Sequence, residues 1–164
     1  MTLDEFNALS EFEAVALLRP LVNLPAWAKQ VSDGRPYSST ERLMQCAEAA
    51  CQHWQAQDLT QALAAHPRIG ERAAGSSKEA QLSRGEQATL NISHQQVIDA
   101  LRDGNLRYEQ RFGQVFLIRA KGRSSQEILE NLQRRLLNSP ETEDQETAQQ
   151  LKEITLLRLK EIFQ

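Results

Sequence analysis

The chain reads as an all-α protein, a single compact multi-helix domain of about eight or nine helices covering residues 1–164, and three observations predict this. Ala, Leu, Gln, Glu and Arg, the strong helix formers, dominate, whereas seven Gly and five Pro are few for 164 residues. Helix starts recur as Ser-x-x-Glu or Ser-x-x-Gln, where the serine oxygen caps a free N–H and the acid or amide reaches back. The one extended apolar stretch, Val115-Phe116-Leu117-Ile118, is too isolated to make a sheet.

The predicted helices lie at roughly 3–8, 10–18, 25–31, 40–54, 58–65, 84–90, 94–112, 125–138 and 141–163. The first and third rest on composition and spacing. Ser10 with Glu13 opens the second, and Ser38 with Glu41 opens the fourth. The fifth ends in the Ala-rich run before His66. Ser83 with Glu86, Ser93 with Gln96 and Ser124 with Glu127 open the next three, and Gly113 closes the long central helix as a C′ glycine. Ser139-Pro140 is a corner before the last helix. Trp27 and Trp54 follow helix patterns and are expected in core or interface packing. Loops gather at His66 to Leu82 and at Arg119 to Ser124, and loops on a rigid frame are where chemistry is usually placed.

Nineteen Lys and Arg oppose 22 Asp and Glu, a formal charge of −3, which argues against a general nucleic-acid binder. A few basic groups in one pocket still suit a small anionic ligand. Cys46 and Cys51, five apart on a helix, point to different faces and are expected as free thiols. The acidic N-terminus has neither the basic region nor the apolar run of a secretory signal, no stretch approaches a membrane span, and no SKL-type tail is present. These features predict a cytoplasmic protein that binds no membrane.

GxGxxG, GxxxxGK[ST], GxSxG and HExxH are all missing, and His53, His66 and His94 are too dispersed for a local ligand set, so no metal is expected. His66 precedes Pro67, which biases it out of helical dihedrals and holds the imidazole at a rigid corner. It is either a helix-terminal histidine bonded to the last carbonyls or an acid/base group, the one side chain that titrates near neutrality without help. Ser83 and Glu86 are explained by a capping box alone, yet a helix N-terminus also presents N–H groups to an anionic or carbonyl-bearing ligand.

On the last helix, Leu151, Ile154, Arg158 and Ile162 share one stripe, so Arg158 points inward and needs an anion or carbonyl partner. That partner is a structural carboxylate such as Glu127 or Glu130, or a substrate carboxylate. Arg134, Arg135 and the run Glu141 to Glu146 are expected on solvated faces. Phe112, Gly113 and Phe116 either wall a cavity or fill the core.

The order of short motifs is more specific than any one of them. HPRIG at 66–70, SRGEQ at 83–87, RFGQVFLI at 111–118 with RAKG at 119–122, RRLLN at 134–138 and EITLLRL at 153–159 together resemble the 2-oxo-4-hydroxy-4-carboxy-5-ureidoimidazoline (OHCU) decarboxylases over essentially the whole chain. The resemblance implies an all-α, cofactor-independent homodimer that decarboxylates OHCU to (S)-allantoin in urate breakdown. It implies that His66 is the proton donor, and that Pro67, the segment Ser83, Arg84, Gly85, Glu86 and Gln87, the segment Ile118, Arg119, Ala120, Lys121 and Gly122, and Arg158 bind substrate. Arg68 and Gln114 depart from the family pattern at flanking positions. A noncatalytic helical interaction module and a different cofactor-free lyase or isomerase acting on another small ureide are the competing readings.

Overall fold

The computed structural model describes residues 1–69, 81–83, 86 and 95–164. Its helices are α1 (Leu3–Ala8), α2 (Glu11–Leu18), a 3-10 turn (Arg19–Leu21), α3 (Pro25–Asp33), α4 (Thr40–Cys51), α5 (Ala56–Leu63), α6 (Gln95–Phe112), α7 (Ser125–Arg135) and α8 (Pro140–Ile162). Residues 81–83 and 86 are also helical, and no strand occurs among the described residues. The fold is all-α, and Val115 to Ala120 runs without regular structure.

Local capping sets most of the boundaries. Ser10 accepts the N–H of Glu13 and Ser124 that of Glu127, each at 3.1 Å. Thr2 and Glu5 form a reciprocal box on α1, the same device written with threonine. The cap of α4 is Ser39, whose Oγ accepts from the Arg42 N–H, and not Ser38 as expected. Ser39 carries the extended dihedrals a cap needs, so the helix starts at Thr40, where the predicted span begins, and only the capping serine differs. Ser83 is itself helical and buried, which departs from the cap expected there, since an N-cap lies outside helical dihedrals. Ser93, with the start of the 94–112 helix, and most of the 84–90 helix lie outside the described residues. Helix α7 stops at Arg135 and not at 138: tight N–H bonds from Leu137 to Arg134 and from Asn138 to Arg135 turn the chain before Pro140, which disfavours helical dihedrals in the residue ahead of it. Ser139 then caps α8, with Pro140 as its first residue.

Two compact units are present, residues 1–62 with 152–164 and residues 63–151. In the first, Trp27 is buried and donates Nε1–H to the Ala47 carbonyl at 3.1 Å, as its expected core role requires, whereas Trp54 is only half-buried. Phe6 stacks with the ring of Tyr37 and meets that of Phe163 edge to face. Cys46 and Cys51 are free, and burial pushes the Cys51 thiol up to about 12.

The second unit packs α6, α7 and the first turns of α8 around Leu101, Tyr108, Phe116, Ile118, Ile128 and Leu132. Gly104 permits close contact between α6 and α7, because a Cβ there would stand 2.5 Å from Leu132 Cδ2. Gly113, at φ +71, ends α6 as the C′ glycine expected from the sequence, with its N–H on the Glu109 carbonyl. Phe116 is fully buried against Tyr108, and Phe112 packs on the same cluster, so these rings fill core.

One expectation fails in this unit. Arg135 and Glu143 do not lie on solvated faces: they are 1% and 0% exposed and form a buried ion pair. Arg135 continues the stripe of Ile128 and Leu132 at helical spacing, and Glu143 continues that of Thr147 and Leu151. Arg134 behaves as expected, pairing with Glu146 in a half-exposed bidentate contact.

Candidate functional site

His66 follows α5 directly, its backbone N–H donating to the Leu63 carbonyl at 3.0 Å, so the chain leaves the helix through a tight turn before Pro67. Both residues are half-buried. The corner is then fastened to α6 at two points. Asn105 is buried and donates Nδ2–H to the Ile69 carbonyl at 3.0 Å. Arg68 forms a bidentate pair with Glu109, Nε to Oε1 at 2.7 Å and Nη2 to Oε2 at 3.0 Å. Asn105 and Glu109 are four apart, so one face of α6 holds both contacts. Arg68, one of the two departures from the family pattern, is thus part of the fastening of the histidine corner.

The second loop has a similar architecture. Ile118 and Ala120 are buried in the same cluster that contains Ile69, which brings the histidine corner and the 118–122 segment onto one core. Arg119 lies between them, half-buried, its backbone N–H donating to Gln150 Oε1 at 3.0 Å and its Nη1 to the Lys121 carbonyl at 2.7 Å. Arg123 Nε returns to the Arg119 carbonyl at 2.9 Å and its Nη1 meets Glu127 at 3.1 Å. Gly122, at φ +85, makes this wrapped turn possible, and a Cβ there would meet Arg119 Nη1 at 3.2 Å. Lys121 and Gly122 are exposed.

Of the SRGEQ segment, Ser83 is buried and Glu86 is half-buried and helical, while Arg84, Gly85 and Gln87 lie outside the described residues. Arg158 is inward as the stripe predicts, 2% exposed, with Nη1 donating to the Leu21 carbonyl at 3.0 Å within the first unit. Glu127 and Glu130, the carboxylates considered for it, accept hydrogen bonds from Arg123 and Gln126. Among the described residues no group of His, Cys, Asp and Glu is arranged to hold a metal ion.

Sequence reasoning missed the groups that hold these loops: Asn105, Glu109, Tyr108, Arg135 and Glu143. Glu143 Oε1 accepts the Tyr108 O–H at 2.5 Å and Arg135 Nε at 2.8 Å, and burial, with the bond to Glu143 second, holds the Tyr108 phenol well above its ordinary range. Tyr108 is therefore a fixed neutral donor.

The OHCU decarboxylase family pattern matches residues 7–160. The chain belongs to that family. Uric acid degradation bifunctional protein of Bacillus sp. (strain TB-90) is 29% identical over 170 residues, covering 99% of this chain, which spans 32% of that protein's length. The 2-oxo-4-hydroxy-4-carboxy-5-ureidoimidazoline decarboxylase of Amia calva is 30% identical over 167 residues, covering 100% of this chain and 95% of its own. A crystal structure of OHCU decarboxylase in the presence of (S)-allantoin superposes with a TM-score of 0.73 at 27% identity, over 90% of this chain and 96% of that one. No described helix of this family member is long and apolar enough to cross a membrane.

Proposed function

We propose that this chain decarboxylates OHCU to (S)-allantoin and CO₂ in urate breakdown, without a cofactor, with His66 as the proton donor. The observation that carries the reading is the family match across residues 7–160, joined to a structure in which the HPR corner and the 118–122 segment share one core. Pro67, Ser83, Arg84, Gly85, Glu86, Gln87, the segment Ile118 to Gly122 and Arg158 are the substrate-contacting groups in this reading.

The chemistry needs a sink for the electron pair left when the carboxylate departs, and the substrate carries one in its ring imine. As the C–C bond breaks and CO₂ leaves, that pair forms a ring C=C while the imine nitrogen takes a proton. The hydroxyl on the ring carbon that bore the carboxylate then loses its proton to become a carbonyl, and the neighbouring ring carbon is protonated. Protonation from one face sets the S configuration, and His66 delivers that proton. A rigid corner suits this task, because the donor must approach one face only. Glu86 and Gln87 hold the ring and ureido N–H groups, and Arg158 or main-chain N–H groups of the 118–122 segment, other than that of Arg119, which Gln150 holds, bind polar oxygens of the substrate.

The reading extends to a cytoplasmic homodimer. Free thiols at Cys46 and Cys51 suit a reducing compartment, and the family resemblance supports the dimer, which sedimentation equilibrium measures directly.

The test generates OHCU in situ from urate with urate oxidase and 5-hydroxyisourate hydrolase and follows the decay of its absorbance together with optical rotation. The expected result is accelerated decay with (S)-allantoin formation, lost by a factor of about 10² or more in His66→Asn. Decay at the uncatalysed rate with the unaltered protein overturns the function, and wild-type-like formation of (S)-allantoin by His66→Asn overturns the donor role alone.

A further inference from the structure

We propose that Arg135 is a positioning residue for the substrate-contacting segment 118–122, an inference that rests on the function proposed above and deepens it. Two consecutive residues just before that segment are gripped by its guanidinium. Nη1 donates to the Leu117 carbonyl at 2.8 Å, and the guanidinium carbon sits 4.5 Å from the centroid of the Phe116 ring. The other edge of the same plane, through Nε and Nη2, holds Glu143 Oε1 at 2.8 and 2.5 Å.

Glu143 is in turn fixed from two further sides. Tyr108 on α6 donates its O–H to Oε1, and Asn138 donates Nδ2–H to Oε2 at 3.1 Å. The arginine therefore cannot follow the loop if the loop moves. Helix α8 reaches the segment a second time through Gln150, which accepts the Arg119 N–H. Glu143 and Gln150 are seven residues apart, two turns on one face of α8. The backbone is thus held at the Leu117 carbonyl and the Arg119 amide, on either side of Ile118. A buried charge pair is an expensive way to stabilise a core, since apolar residues of similar volume do as well. Its planar fork, however, meets a carboxylate and a backbone carbonyl with different nitrogens, a spacing that the single nitrogen of a lysine does not reproduce.

The segment carries main-chain groups assigned to substrate, so its placement sets binding more than the proton transfer at His66. Arg135→Lys keeps the positive charge beside Glu143 and releases the Leu117 carbonyl. The expected result is a KM for OHCU raised about tenfold with kcat changed less than about twofold. Amide hydrogen exchange should quicken at residues 116–122 and stay unchanged in α7 and α8. A purely structural arginine would lower the melting temperature without that KM-against-kcat split. Where Arg135→Lys fails to fold, the double variant Arg135→Met, Glu143→Leu removes both charges together, and the same kinetic and exchange pattern is expected from it. A folded variant of either kind with wild-type KM and wild-type exchange at 116–122 overturns the proposal. If the unaltered protein turns over no OHCU, the function fails separately, and the exchange pattern still decides whether Arg135 holds the segment.

Discussion

Gly104→Ala tests whether the spacing between α6 and α7 is set by the absence of one methyl group. Alanine is favoured over glycine in a helix interior by about 1 kcal/mol. The added Cβ, however, would stand 2.5 Å from Leu132 Cδ2 and 3.1 Å from Cγ, where ordinary carbon contacts are about 3.5–4.0 Å. Leu132 is 0% exposed among Ile128, Tyr108 and Phe116, so it has no solvent to swing into. Overpacking of that kind costs about 1–3 kcal/mol, which leaves Gly104→Ala destabilised by about 1 kcal/mol net. Shrinking the neighbour reverses the sign: in a Leu132→Ala background the clash is gone and the helical gain of about 1 kcal/mol remains. The two sites should therefore couple by about 2 kcal/mol in a double-mutant cycle measured by urea unfolding with unchanged m values. Additive effects within about 0.5 kcal/mol would refute the reasoning.

Two further outcomes follow from the same structure. Gly122→Ala forces an L side chain into φ +85, at a cost of about 1–2 kcal/mol, and should raise the KM for OHCU while leaving most of the fold intact; unchanged KM would show that this turn is not part of binding. Glu146 is held below the usual carboxylate range, first by its bond to Arg134 and then by Asn138. A carboxylate with a depressed folded-state pKa contributes stability that is present above its unfolded value and lost as pH falls through the folded one. The stability difference between the unaltered protein and Glu146→Gln should accordingly shrink as pH falls below the ordinary carboxylate range, and a pH-independent difference would remove the pair from the account.

What could be read from the sequence was local or periodic. Ser10 and Ser124 announce their helices because a cap and the N–H it satisfies are three residues apart, and Gly113 announces its end because only its own dihedral matters. Ser38 and Ser39 show the limit of this, since adjacent serines offer the same cap chemistry and the tertiary path of the preceding turn chooses between them. Arg158 was legible from its stripe, yet one of its partners, the Leu21 carbonyl 137 positions away, was not. Arg135 lay on an equally apolar stripe with Ile128 and Leu132. The adjacent Arg134 masked it, because two neighbouring arginines at a helix end suit solvent and the helix dipole. Asn105 and Glu109 were hidden for another reason: polar residues on a long amphipathic helix normally face water, and only the return of the histidine corner onto α6 turns that face inward.

The grip of Arg135 on the Leu117 carbonyl also bears on how this sequence can drift. A carbonyl oxygen belongs to every residue, so position 117 can change to any side chain its buried site accepts without loosening the hold. Positions 135 and 143 have no such latitude. Losing either charge alone strands the other in the core, so routes through sequence space that remove a charge should remove both together, and libraries that randomise one position at a time would recover only replacements that keep its charge.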